Sequence, residues 1–432
     1  MNEPPRHRYQ NSEAFLKRAL EVIPLASQTF SKSTTHIPKG AAPLFVERGK
    51  GSKIWDIDGN EYIDFVNSLA AVTLGYCDPD VDQAVLRQLQ QGVTFSLPHP
   101  LETELAEKLV ELIPCAEKIR FAKNGTDATS AAIRVARAFT GRDRVAVCGY
   151  HGWQDWYIGT TARNLGVPDA VSSLSHTFTY NDTESLLALL EAHPDEFAAV
   201  ILEPMNSTEP RDGFLHEVKR ITHNHGALLI FDETVTGFRF SLGGAQALFG
   251  VTPDLATFGK GMANGFPLAA VVGRSEFMRM MEDIFFSGTF GGETLSLAAA
   301  KTVIHKMESE GVLETIYQRG ENLVSRLRSV IQQHDATSLF SVSGHPSWSF
   351  LKIHPCEYTP FEVKTYLFQL RFERGIFALG SHNISYAHSQ DDIDRLIEVY
   401  DEVIPMIMDS IRTGTLIERL TCEPLQPIFQ VR

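Results

Sequence analysis

Asp232 and Lys260 stand 28 residues apart (260 − 232), and each follows a short apolar run. Asp232 closes "ALLIFD", and Lys260 sits between Gly259 and Gly261 in "PDLATFGKGMANGFPLAA". Glycines on both sides of a lysine let backbone or a ligand approach it closely. A lysine and a strand-end carboxylate together are what pyridoxal phosphate requires. The amine holds its aldehyde as a Schiff base, and the carboxylate keeps the ring nitrogen protonated, so that the ring can accept electrons from a carbanion. Strand alternation points Glu233 to the other side, where it is expected to matter much less to that chemistry.

The cofactor's phosphate needs a third site, and "FAKNGTDATSAAIRVARAF" offers one. A strand runs through Asn124, Gly125 and Thr126 into a helix. Backbone amides at that helix end, with the Thr126 hydroxyl, can hold an anion against the positive end of the dipole. A fourth piece is "CGYHGWQDW", where Tyr150 or His151 follows a strand and can stack on a flat ring. Each piece alone has an ordinary explanation: a strand-end Asp as a cap, a lysine in solvent, Thr126 or Asn124 as a simple N-cap, an aromatic in the core.

The elements that must position these groups alternate. From about residue 79 to residue 310, the candidate strands "KIRFA", "RVAVC", "AAVIL", "ALLIF", "LATF" and "LAAVV" alternate with the helical stretches "PLETELAEKLVELI", "DATSAAIRVARAF", "TESLLALLEAH" and "SLAAAKTVIHKM". That alternation predicts an α/β unit with a large, mostly parallel sheet. Ahead of it, "SEAFLKRALEV" has helical spacing, and "PLFVERGKGSKIWDIDGNEYIDFV" reads as a small antiparallel meander broken by "GKG" and "DGN". Behind it come an amphipathic stretch, the strand-like runs "SLFSVSG" and "SWSFLKI", and the helices "PFEVKTYLFQLRFERG" and "DDIDRLIEVYDEVIPMI". The expected division is 1–65 as the N-terminal part of a smaller α+β domain, 66–315 as a large cofactor-binding domain, and 316–432 as the rest of the smaller one.

Composition narrows the function classes. The 432 residues are 43% hydrophobic, enough for a large core. A formal net charge of -14 argues against nucleic acid or an anionic membrane as partner. The five cysteines show no CxxC spacing, which argues against a metal site or a disulfide framework and suits a reducing compartment. No stretch reaches the ~18 uninterrupted apolar residues of a membrane span. The expected setting is the cytoplasm.

Taken together, "WDIDGNEYIDFV", "NGTDATSAAIRVARAFTGRD", "YHGW", "FDETVTGFR", "GGAQALFGVTPDLATFGKGMANGFPLAAVVG" and "SGTFGGETLSLAAA" resemble the class III branch of fold type I pyridoxal-phosphate enzymes, the aminotransferases and glutamate-1-semialdehyde aminomutases. The resemblance implies Lys260 as the Schiff-base lysine and Asp232 as the partner of the pyridine nitrogen. It implies Gly125 and Thr126 on the phosphate, Tyr150 stacked on the ring with His151 beside it, and Thr234 against the ring's buried face. It also implies that Gly288 and Thr289 reach the phosphate of a neighbouring subunit, making a homodimer with shared active sites. Gly288 and Thr289 also read as a turn opening another helix, whose amides would form a second anion site.

The chain departs from the family pattern at several places. Asn124 and Asp127 stand where Ser and Glu are usual, and Thr234 where the family has Val. Near residue 32, where the aminomutase has a substrate-binding arginine, the chain reads "TFSKSTT", with Lys32 the cation. "ALGSHNISYAHSQ" has no arginine, close to where many class III aminotransferases place the one that grips an α-carboxylate. Trp153, Trp156, Tyr157, His345, Trp348, His382, Asn383 and Tyr386 fall near the expected mouth instead. Aromatic platforms with hydrogen-bonding neighbours suit a polyhydroxylated ligand, and a keto sugar in amino-sugar or polysaccharide synthesis is the acceptor they favour; core or interface aromatics are the competing explanation.

The leading expectation is an aminotransferase moving an amino group between a small amine donor and a carbonyl acceptor. A 2,1-aminomutase is the alternative. A nucleotide-binding oxidoreductase is disfavoured because "NGTDAT" lacks a GxGxxG turn, and a cofactor binder without catalysis because Lys260 and Asp232 are both present.

Overall fold

The structure is a computed structural model that describes residues 8–426. In chain order the strands are β1 (Val46–Lys50), β2 (Lys53–Asp56), β3 (Glu61–Asp64), β4 (Lys118–Ala122), β5 (Arg144–Cys148), β6 (Ser175–Thr177), β7 (Phe197–Leu202), β8 (Leu228–Asp232), β9 (Leu255–Phe258), β10 (Ala269–Gly273), β11 (Phe340–His345), β12 (Trp348–Ile353), β13 (Ile376–Phe377) and β14 (Ser381–Asn383). The chain divides into two compact units. Among the described residues, one takes in 8–69, Leu74–Asp78 and 314–426; the other takes in Ala70–Thr73 and Pro79–Leu313.

In the larger unit the described residues form a seven-stranded sheet of order β4-β10-β9-β8-β7-β5-β6. The run from β9 to β6 is parallel, and β10 lies antiparallel to both β9 and β4. This is the large, mostly parallel α/β sheet of fold type I. β7, "FAAVIL", and β8, "LLIFD", are buried along their whole length, as strands covered on both faces must be. The helix Gly125–Thr140 packs Ala128, Ala131, Ala132, Val135 and Ala136 into the core with Val145, Ile201, Ile230 and Val271, and its small residues let the backbone come close to the sheet. Its start is fixed by a capping box between Asn124 and Asp127, and its end by Gly141 in the left-handed region at φ 67. Among the described residues no helix is long and apolar enough to cross a membrane.

The smaller unit carries the expected meander, β1-β2-β3, extended by β13 lying parallel to β3. A second, antiparallel sheet has the order β11-β12-β14. The helices Pro360–Glu373 and Gln390–Arg412 each begin with a capping box, from Thr359 and Ser389.

Glu233, next to the strand-end Asp232, is fully buried and ties the loop after β8 together. Its carboxylate accepts the Ala245 and Gln246 amides at 2.7 and 2.8 Å and the Thr236 hydroxyl. Gly244, at φ +80, is needed there because a Cβ would lie 2.7 Å from that carboxylate. Glu233→Ala would leave several buried donors unpaired, so the variant is expected to lose on the order of 3 kcal/mol of stability. Denaturant unfolding measures this directly, and an unfolding midpoint equal to wild type would refute the structural role.

Candidate active site

Asp232 ends β8 as a buried carboxylate. One oxygen accepts the Thr234 amide and the Thr257 hydroxyl, each at 3.1 Å; the other lies 2.9 Å from His151 Nδ1. The other His151 nitrogen, Nε2, lies 3.2 Å from the Cys148 carbonyl. Burial alone would raise the Asp232 carboxyl. The hydrogen bond and charge of His151, then the Thr234 amide, outweigh burial and hold the carboxyl below the usual carboxylate range.

Lys260 follows β9 and Gly259 at the start of a short 3₁₀ turn, Lys260–Ala263, with its own backbone in the left-handed region at φ 42. A non-glycine residue there carries backbone strain, a conformation that collects at functional sites. Its amine makes no hydrogen bond or ion pair among the described residues. Burial pushes the amine below the usual lysine range, against the opposing charges of Glu203 and Asp232.

Glu203 is the residue that the sequence reading missed. It follows β7 in "AAVILEP", the same pattern that marks Asp232: a fully buried strand ending on a carboxylate. It accepts the Tyr150 amide at 3.0 Å, and Gly149 has no side chain to spare, since a Cβ would lie 2.5 Å from Glu203 Oε2. Burial, then the charge of Asp232, pushes Glu203 above the usual carboxylate range. Arg239, fully buried, donates to the Ala70 carbonyl and is pushed down to about 10 by burial.

The helix end at Gly125 is shaped for close approach. The Thr126 hydroxyl accepts the Trp153 amide at 3.2 Å, and Gly152, at φ +105, would place a Cβ 2.3 Å from that hydroxyl. A Cβ on Gly125 would lie 3.0 Å from the Thr234 methyl, and the buried Thr234 hydroxyl has no hydrogen-bond partner among the described residues. First-turn amides of a helix have no intrahelical partner. An orphaned hydroxyl, open first-turn amides, an unpaired lysine and a buried carboxylate that can accept from a ring N–H are the partners that pyridoxal phosphate needs, and these residues fit it.

Several sequence expectations change. His151 is no free ring: it is buried behind Asp232 as that carboxylate's partner. Tyr150 is half exposed, with its ring edge-on to Tyr157. Gly288 and Thr289 open no helix. They are exposed on a loop that lines a cavity with Lys123, Asp127 and Arg134, and the next helix, Thr294–Ser309, is capped by Glu293 five residues past Gly288 (293 − 288). The expected second helix-end anion site is therefore absent among the described residues.

The aromatic platform dissolves in the same way. Trp156 is buried with its indole N–H on Ser130 Oγ at 3.0 Å, and Tyr157 is buried with its hydroxyl on the Gly149 carbonyl at 2.9 Å. His382 is fully buried between Tyr400 and Ser349 at 2.7 and 3.0 Å, and burial and the Arg371 charge push it down to about 3. Asn383 donates to the Val66 carbonyl at 2.9 Å, and His345 is buried. Trp156, Tyr157 and His382 are core residues whose polar atoms already have partners inside the protein, while the Asn383 Oδ1 has none among the described residues. Trp348, beside Phe350, and Tyr386, whose carbonyl accepts Arg319, are partly buried. Trp153 stays 65% exposed, and Lys32 lines an apolar cavity of about 410 Å³ in the smaller unit.

Comparison with known proteins gives the family. Residues 36–345 match the model of the family described as aminotransferase class-III. The chain is 36% identical over 402 residues to 3-aminobutyryl-CoA aminotransferase of Cloacimonas acidaminovorans, covering 90% of this chain and 96% of that one. It is 35% identical over 424 residues to glutamate-1-semialdehyde 2,1-aminomutase of Desulforapulum autotrophicum, covering 91% and 98%. Among solved structures it resembles the internal-aldimine form of the FumI protein of Sphingopyxis sp. MTA144, with a TM-score of 0.87 and 27% identity over 96% of this chain and 99% of that one. The chain belongs to the class III aminotransferases, enzymes that work with pyridoxal phosphate.

Proposed function

We propose that this chain is an aminotransferase in which Lys260 carries the cofactor and moves the proton, Asp232 holds the cofactor's ring nitrogen, and the helix end at Gly125 and Thr126 holds its phosphate. The observation that carries the reading is the Lys260 amine, held without a hydrogen bond or ion pair among the described residues in the field of two buried carboxylates. When bound, pyridoxal phosphate supplies an aldehyde and an electron-accepting ring. Asp232, kept ionised by His151, Thr234 and Thr257, holds a proton on the ring nitrogen. Thr234 offers beside Gly125 a hydroxyl without a hydrogen-bond partner among the described residues, and Tyr150 is half exposed. Lys260, lowered below the usual lysine range by burial, is suited to take a proton from the substrate carbon and return it. These residues fall within 66–315, which we propose as the cofactor-binding domain, with 1–65 and 316–432 forming the smaller one. The five cysteines are unpaired, which supports a reducing, cytoplasmic setting.

For the substrate we propose an amine placed away from an α-carboxylate. "ALGSHNISYAHSQ" offers no arginine to grip one, and the relative named for 3-aminobutyryl-CoA carries its amine on the β carbon. The keto-sugar acceptor loses its main support, because Trp156, Tyr157 and His382 are core residues. The aminomutase reading keeps the support of a relative of that name. To separate these, single donors are mixed with the holoenzyme and loss of the cofactor's visible absorption is followed, with product mass analysis against keto acids and keto sugars. A β-amino acyl donor should discharge the cofactor and need a second carbonyl compound to restore it. Conversion of glutamate-1-semialdehyde with no second substrate would replace this reading with the mutase, and discharge restored only by a keto sugar would return the sugar acceptor.

Asp232→Ala is expected to keep the cofactor bound yet lower turnover by about a hundredfold or more, since a preorganised charge at the reacting group is lost. Turnover near wild type at saturating cofactor would remove its role. Gly152→Ala is expected to weaken cofactor affinity, read by equilibrium dialysis, because the new Cβ strikes Thr126; unchanged affinity would count against the Thr126 contact.

We also propose a homodimer in which Gly288 and Thr289 complete the partner's phosphate site. The exposed loop that carries them supports this, as does the family resemblance. In a mixed dimer of Lys260→Ala and Thr289→Ala chains, one site would hold both lesions and the other neither. Provided that Thr289→Ala alone is severely impaired, the hybrid should regain up to half of wild-type activity. No recovery in a verified hybrid would overturn the shared site.

A further inference from the structure

In the smaller unit Lys364, on the helix Pro360–Glu373, lines a cavity of about 330 Å³. Its neighbours there include Phe350, Leu351 and Ile353 of β12, with Phe361, Leu367 and Leu379. The Lys364 ammonium stands 5.2 Å from the centroid of the Phe368 ring, and the Arg371 guanidinium stands 5.1 Å from the same centroid. Arg371 is fully buried and donates to neutral oxygens, the Tyr400 hydroxyl at 2.8 Å and the Ala378 carbonyl at 2.7 Å, while its Nε has no partner among the described residues. Lys364 has no hydrogen bond or ion pair among them either.

Buried charges are ordinarily paired with an opposite charge. Here a part-buried Lys364 and a fully buried Arg371 share one aromatic ring, and neither has a carboxylate partner among the described residues. The consequence is visible in their neighbours: burial and the Arg371 charge push the Lys364 amine down to about 8, and burial and the Lys364 charge push His36 down to about 4. An anion in the cavity would relieve this. The walls decide which anion. A phosphate would need several donors at once, whereas this cavity offers one ammonium and the Ser381 side chain among mostly apolar neighbours. We propose that it is a binding site for a small apolar monocarboxylate, with the carboxylate seated on Lys364 and the hydrocarbon against β12 and Leu379.

The full chain loaded with its cofactor can be titrated calorimetrically with octanoate, octanol and inorganic phosphate. Octanoate should bind saturably, with octanol and phosphate at least about thirtyfold weaker, the expected loss when one partner of a buried charge pair is missing. Lys364→Met should weaken octanoate by a similar factor. Ile353→Trp, which fills the cavity and leaves the cation in place, should also weaken it and keeps the test decisive if the first variant misfolds. Failure of octanoate to bind, equal binding of octanol, or wild-type affinity in either folded variant would overturn the site.

Discussion

Keeping a carboxylate ionised where burial favours its neutral form is the constraint on which the rest of the site depends. Asp232 sits at the end of a strand sealed on both faces, where desolvation alone would raise its carboxyl. It ends below the usual range because His151, Thr234 and Thr257 converge on it. His151 is in turn fixed by the Cys148 carbonyl and packed by Trp156 and Tyr157, so residues that read as a substrate platform instead hold the partner of the acid. Glu203 accepts the Tyr150 amide, yet burial and the charge of Asp232 push it the other way. Two neighbouring carboxyl groups are thereby driven apart in acidity.

The same economy runs through the backbone. Gly149 yields room to Glu203, Gly152 to Thr126 and Gly244 to Glu233, and each has a positive φ that a side chain would resist. Lys260 adopts such a conformation without being glycine, at φ 42, so the turn after β9 places its amine at some cost in backbone energy. That strain is sustained by a sheet whose central strands are buried throughout.

How far the molecule was legible from its sequence depended on how local each signal is. Asp232, Lys260 and the Gly125 helix end were found because an apolar run ending on a polar residue is a local pattern. Glu203 has that pattern too, but "LEP" named no chemistry until the charges of Asp232 and Lys260 were placed beside it. β6, "SHT", was missed because three residues with a polar face carry no alternation to read. Gly288 and Thr289 resembled a helix start, yet Glu293 captures the amides of Leu295 and Ser296 and begins the helix later. Trp156, Tyr157 and His382 were placed at the mouth because type and position give no burial: only packing shows that their polar atoms already have partners.

The central claim is that one amine, Lys260, is kept unpaired to take the cofactor. Borohydride reduction of the loaded protein, digestion and peptide mass mapping test it most directly. The account predicts the pyridoxyl label on the peptide that carries Lys260 and on no other; a label on any other lysine, or an equal label after Lys260→Ala, would contradict it.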